Sequence, residues 1–137
     1  MSTPVAPIAF FDSTYEEALA LTRRARDYFA QKDPLVHGAA QGGEAAERSL
    51  QASCESMRVT TRLTQVMAWF LVQKAVHGGE LPREEALSPE HRLHGHDICS
   101  CENHDLTVEL PCELKELLDQ SLALYERVAR LDAMLDG

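Results

Sequence analysis

The chain has 137 residues, 45% hydrophobic and 26% charged, values that fit one globular domain over 1–137 with a core of its own. Asp and Glu number 22 against 13 Lys and Arg, a formal net charge of −9; with no basic tract to displace counterions, this balance excludes nucleic acid and anionic lipid as partners. No apolar run approaches the ~20 residues that cross a bilayer, and the first eleven residues lack the basic start of a secretory signal, so the expectation is a cytoplasmic protein with reduced thiols.

Residues 1–11 read as a Pro-containing lead. Helix 1 is expected to begin at Ser13-Thr-Tyr-Glu16, a capping box in which Ser13 and Glu16 each satisfy an otherwise unpaired N–H. Tyr15, Ala18, Leu19, Thr22, Ala25 and Phe29 then recur at helical spacing. Asp33-Pro34 ends the helix, because a residue before proline is pushed out of the helical region, and residues 33–43 read as a loop.

Helix 2 is expected from about Glu44 to His77, roughly 50 Å at 1.5 Å per residue. Leu50, Cys54, Met57, Thr61, Thr64, Ala68, Leu71 and Ala75 follow alternating 4,3 spacing, and Val59, Leu63, Val66 and Phe70 form a second stripe. A helix apolar on most sides must be covered on most sides. Helix 2 is therefore the central element, and its far half is expected to face another subunit as well. Gly78-Gly79 supplies the stop.

Residues 79–110 form a long loop with room for one or two short helical turns, Ser88-Pro89 opening one of them. Helix 3 starts at Pro111. Leu114, Leu117, Leu118, Ser121, Leu122, Tyr125, Val128, Leu131 and Leu135 make one face, with Glu113, Glu116 and Asp119 early and Arg127 and Arg130 late, as the helix dipole favours. The fold class is all-α: a three-helix bundle with a long central helix and a long loop between helices 2 and 3.

The densest set of chemically active side chains is His94-Gly-His-Asp-Ile-Cys-Ser-Cys-Glu-Asn-His104. His94, His96, Cys99, Cys101 and His104 are ligand types for four-coordinate zinc, but only Ser100 separates the cysteines where two to four residues are usual, and no second knuckle exists. A small metal-binding or thiol-redox helical protein using loop 94–104 is thus the alternative reading; the preferred one has no metal and no cofactor. Cys54, on an apolar stripe, reads as a small core residue; Trp69 reads as core or interface. All six histidines fall in expected loops or at a helix end, which argues against a phosphoacceptor. Glu-x-x-His, His-Glu-x-x-His and the Gly-rich phosphate loops do not occur. The chain is not read as an enzyme. Arg58, Thr61, Arg62 and Gln65 interrupt the apolar faces of helix 2, and Tyr125 and Arg127 do so on helix 3. They serve either interhelical hydrogen bonding or a partner-binding face.

Glu55-Ser-Met-Arg-Val-Thr-Thr-Arg-Leu63, Ala68-Trp-Phe-Leu-Val-Gln-Lys-Ala-Val76, Glu80-Leu-Pro82 and Ser121-Leu-Ala-Leu-Tyr-Glu-Arg-Val-Ala-Arg-Leu-Asp132 resemble the alphaproteobacterial regulators of CtrA degradation, the RcdA-like family. The resemblance spans most of residues 50–135. It implies a dimeric three-helix bundle without enzyme activity that helps deliver CtrA-like response regulators to the ClpXP protease, acting with a CpdR-like receiver protein. The His/Cys-rich run at 94–104 departs from the family pattern, so no metal role carries over. Relatives can bear a polar tail beyond the point where this chain reaches Gly137, which leaves cargo and docking mode open.

Overall fold

The structure is a computed structural model that describes residues 8–31, 43–96 and 110–135. Among these residues the chain is all-α, with no strand. Its elements are α1 (Ile8–Gln31), α2 (Gly43–His77), the short α3 (Arg83–Ala86), a 3₁₀ turn (Pro89–His91) and α4 (Cys112–Met134). Each of the three long helices packs on the other two.

Helix α1 begins more than a turn before the expected capping box. Phe11 stacks on Trp69 at 5.7 Å between ring centroids and meets the edges of Phe70 and His77 at 6.0 and 5.4 Å. These contacts hold an extra turn that Ser13 and Glu16 would otherwise have had to cap, so both lie inside the helix, exposed, while Thr14 between them is buried. The lead is correspondingly shorter than 1–11.

Helix α2 starts within a residue of expectation and ends through a Schellman motif. Glu80 N–H donates to Ala75 O at 2.8 Å and Gly79 N–H to Val76 O at 3.1 Å. Gly79 sits at φ 78°, left-handed backbone that a side chain would strain.

Helix directions follow from the pairs that touch. Arg24 reaches Glu116 and Glu17 reaches Arg127, so α1 and α4 are antiparallel. Arg62 reaches Leu118 and Trp69 reaches Asp132, so α2 and α4 run parallel. Parallel neighbours cannot be joined by a tight turn; the chain must travel back down the bundle before α4 can begin. This is the physical reason for the long connection expected at 79–110. Its described part, 79–96, holds α3 and the 3₁₀ turn and packs inward, with Ala86 and Leu93 buried. Residues 97–109 lie outside the described residues.

The core joins Ala18, Leu21, Ala25 and Tyr28 of α1, Val59, Leu63, Val66, Trp69 and Phe70 of α2, and Leu114, Leu117, Leu118, Leu124, Tyr125 and Val128 of α4. Burial, and then the neighbouring Glu113 carboxylate, push the Tyr28 phenol above its ordinary pKa, which keeps it neutral in the core. The stripe Leu50, Cys54, Met57 does not join this core. Leu50 is 62% exposed and Met57 69%, and Cys54 is exposed too, contrary to its expected core position. Helix α2 has two apolar faces, and only the one through Val59 and Val66 is turned toward α1 and α4.

Candidate interaction surface

The polar side chains of α2 and α4 divide into those that build the fold and those that remain at its surface. Arg62 is fully buried; its Nη1 donates to Leu118 O at 2.9 Å and to Ser121 Oγ at 3.2 Å. Tyr125 is also fully buried, and its hydroxyl donates to His94 O at 2.7 Å. Gln65 Oε1 accepts from His94 N–H at 3.1 Å. Arg62 and Tyr125 are therefore not surface anchors. A side chain with no accessible area cannot meet a partner, and removing either would leave buried polar groups without their bonds.

A second set of bonds centres on Asp132. Its Oδ1 accepts from Trp69 Nε1 at 2.9 Å, from Arg92 Nε at 2.9 Å and from Leu93 N–H at 3.4 Å, while Arg92 Nη2 donates to Asp132 O at 2.7 Å. Together with Gln65 and Tyr125 this clasp fixes residues 92–96 along the groove between α2 and α4. His96 lies edge-on to Tyr125 at 5.7 Å. Arg92 and Asp132 did not emerge from sequence reasoning. A signal was available: Asp132 continues the apolar spacing of Tyr125 and Val128, and a buried Trp indole needs an acceptor.

Arg58, Thr61 and Arg127 stay at the surface. Arg58 lies 3.3 Å from Glu55, and Thr61 returns its hydroxyl to Met57 O at 2.9 Å. Arg127 grips Glu17 through two bonds of 3.0 and 2.6 Å, and this hydrogen bonding is the main cause that raises its pKa above the ordinary value. Such a pair ties α4 to α1 more than it advertises a free cation.

Of the recesses on the described surface, two bear on recognition. One lies at the end of the bundle between Phe11, Tyr15, Phe70, Lys74 and His77, where Lys74 sits 4.5 Å from the Tyr15 ring centroid. The other is a shallow apolar groove between α1 and α2, lined by Ala25, Phe29, Leu63, Met67, Ala68 and Leu71 with Arg26 beside it. Its α2 side continues into the exposed stripe: Leu71 is 58% exposed, and Thr61, Thr64 and Ala68 are exposed. The first recess also carries Asp12, 4.0 Å from Lys74, on the same rim as His77, whereas the second has no carboxylate, imidazole or thiol among the described residues of its lining. Among the described residues no three His, Cys, Asp or Glu side chains lie close enough to hold a metal ion. His94 and His96 belong to the strapped segment; Cys99, Cys101 and His104 lie outside the described residues.

No helix of the described residues is long and apolar enough to cross a membrane. The family described as "Protein of unknown function (DUF1465)" matches residues 3–137. No curated protein matches the chain. Among solved structures, RcdA from Caulobacter crescentus CB15 is similar at 35% sequence identity and a TM-score of 0.71, over 95% of this chain and 93% of that one. By the match over residues 3–137 this chain belongs to the DUF1465 family, and by 35% identity over 95% of its length it belongs with RcdA in the RcdA-like family.

Proposed function

We propose that this protein is a non-enzymatic adaptor in regulated proteolysis, working in the cytoplasm as a single-domain three-helix bundle and as a homodimer. It helps bring response-regulator substrates of the CtrA type to the ClpXP protease, together with a CpdR-like receiver protein. The observation that carries this reading is the likeness to RcdA across 95% of the chain. The distribution of polar groups supports it. The buried ones, Arg62, Tyr125 and Asp132, are engaged in holding helices and the return segment together, while the exposed apolar face of α2 is left for recognition. An acidic adaptor of this kind needs no cofactor, metal or nucleic acid.

A reconstituted degradation assay tests the proposal. With ClpXP, the receiver-type adaptor and a CtrA-like substrate present, adding this protein accelerates substrate loss in proportion to its concentration until saturation. Equal rates with and without it, across cognate substrates, would refute an adaptor role.

A further inference from the structure

The recess between the start of α1 and the end of α2 holds chemistry that the adaptor reading does not use. On α2, Phe70 is followed three and four residues on by Gln73 and Lys74, and these by His77, so all four border one face of the last turns. Across from them α1 presents Phe11 and Tyr15, four residues apart. Phe70 meets both rings edge to face, at 6.0 and 5.8 Å between centroids. The cavity between the two helices measures about 340 Å³, near the lower end of the ~300–1,000 Å³ typical of small-molecule pockets. Aromatic walls of this kind favour another ring, stacked or edge-on. Gln73 breaks the pattern of the lining. It is 6% exposed, and its Nε2 is buried with no hydrogen-bond partner among the described residues. A buried amide donor without an acceptor costs stability, and an apolar side chain of the same size would avoid that cost. An oxygen on a bound molecule would supply the acceptor.

We propose that this recess binds a small aromatic carboxylic acid in its ionised form. The ring lies against Phe11, Tyr15 and Phe70. One carboxylate oxygen turns inward to Gln73 Nε2, and the other turns outward to Lys74 Nζ. Consecutive residues of a helix are about 100° apart, so Gln73 faces the interior while Lys74, its side chain 49% exposed, stands at the rim. The ammonium is held over the mouth by the Tyr15 ring, 4.5 Å away, and by Asp12. Asp12 lies at 4.0 Å, beyond hydrogen-bond distance, so a ligand carboxylate that comes closer gains the charge-assisted bonds. Lys74 is the one permanent cation among the described residues of the lining, and His77 adds an imidazole on the same rim, edge to Phe11 at 5.4 Å. The helix ends that meet here are the N-terminus of α1 and the C-terminus of α2, whose opposite partial charges offset each other and leave Lys74 to select the anion. A neutral amide could accept from Gln73 but would gain no ion pair with Lys74; the acid gains both.

The test uses the full isotope-labelled chain without protease or partner, so its outcome is independent of the adaptor reading. Titration with phenylacetate, followed by amide NMR, gives saturable shifts at the Gln73 side chain and at Phe11 and His77, with a dissociation constant of about 1 mM or tighter. Phenylacetamide binds more weakly. Gln73→Met weakens phenylacetate binding at least about tenfold, yet it raises the urea midpoint of the ligand-free chain, because it removes a stranded donor. Lys74→Gln abolishes the preference for acid over amide. Equal binding of phenylacetate and phenylacetamide to the unaltered chain would overturn the acid, and the absence of saturable shifts at Gln73, Phe11 and His77 would overturn the site. A lowered urea midpoint in Gln73→Met would also overturn it, since the amide would then be serving the fold. Binding confined to a short peptide ending in phenylalanine would assign the recess to a protein terminus and overturn the small-molecule ligand.

Discussion

The inward and outward faces of α2 make an instructive pair. Both repeat every seven residues and both carry large apolar groups, yet Val59, Val66 and Trp69 are at most 2% exposed while Leu50, Met57 and Leu71 exceed half. The difference lies in the company each face keeps. The inward face includes Arg62 and Trp69, large groups whose hydrogen bonds are met on α4, while the buried Gln73 Nε2 has no hydrogen-bond partner among the described residues. The outward face has small, undemanding side chains between its large ones, and nothing on it needs a specific polar partner from within the fold. Apolar spacing marks a surface that gains by leaving water; polar residues interleaved with it show whether the same chain supplies the cover.

The strongest challenge to this contrast is Trp69→Ala. It removes the largest fully buried side chain, which touches Phe11 and Phe70 and donates to Asp132. A loss of about 3–5 kcal/mol in urea unfolding is expected from the transfer and cavity terms together. An effect below about 1 kcal/mol would mean that the inward face is not the organising core.

Next comes Asp132→Ala, which takes the carboxylate acceptor from the Trp69 indole N–H and from Arg92 Nε, while Arg92 Nη2 keeps its bond to the carbonyl of residue 132. Stranding the buried indole donor and removing the carboxylate beside a mostly buried charge costs about 2–3 kcal/mol. Amide exchange sharpens the result. Protection should fall first at Leu93 and His94, whose N–H groups bond to Asp132 and Gln65, before it falls in the middle of α2. Uniform loss across the bundle would show that residues 92–96 are part of one cooperative core and not a strap laid over it.

Much of this architecture was legible from the residues. The bounds of α2, the stop at Gly79 and the α4 face through Leu114, Leu118 and Val128 all rest on local spacing and local backbone preference, which a single helix expresses by itself. The parts that were not legible depend on pairs far apart in sequence. Nothing near Ser13 announces that Phe11 will stack on Trp69 and extend α1. Nothing near Arg62 announces that its head will be received by Leu118 and Ser121, 56 and 59 residues away. The sequence leaves Arg62 and Tyr125 between interhelical hydrogen bonding and a partner-binding face, because a long polar tip on an apolar face suits either role, and only the position of α4 decides between them. Cys54 was assigned to the core for the same reason: 4,3 spacing identifies a stripe but not its direction.

A smaller effect is expected at the surface. Arg127→Ala removes the two-bond grip on Glu17, which joins α4 to α1 where both partners remain partly wet, with side chains 33% and 52% exposed. Exposed pairs of this kind contribute about 0.2–1 kcal/mol and weaken as salt is added. The difference between wild type and variant in urea should shrink between low and high ionic strength. A larger loss that ignores salt would show that the aliphatic stem of Arg127 packs as part of the core and that the charge is incidental.

The smallest change separates the two faces most cleanly. Cys54→Ser replaces a small apolar group by a polar one of nearly the same size. On the inward face, a buried hydroxyl without a partner would cost about 1–3 kcal/mol. On the outward face of a separated chain the thiol is already in water, and the change should stay within about 0.5 kcal/mol. Unfolding measured at protein concentrations below dimer dissociation reads the fold alone. Repeating it at high concentration adds whatever self-association contributes, because a second copy that binds only the folded chain raises its apparent stability. A Cys54→Ser penalty that appears only at high concentration locates the thiol between two molecules. A penalty already present in the dilute chain returns Cys54 to the interior and removes the contrast on which the outward face depends.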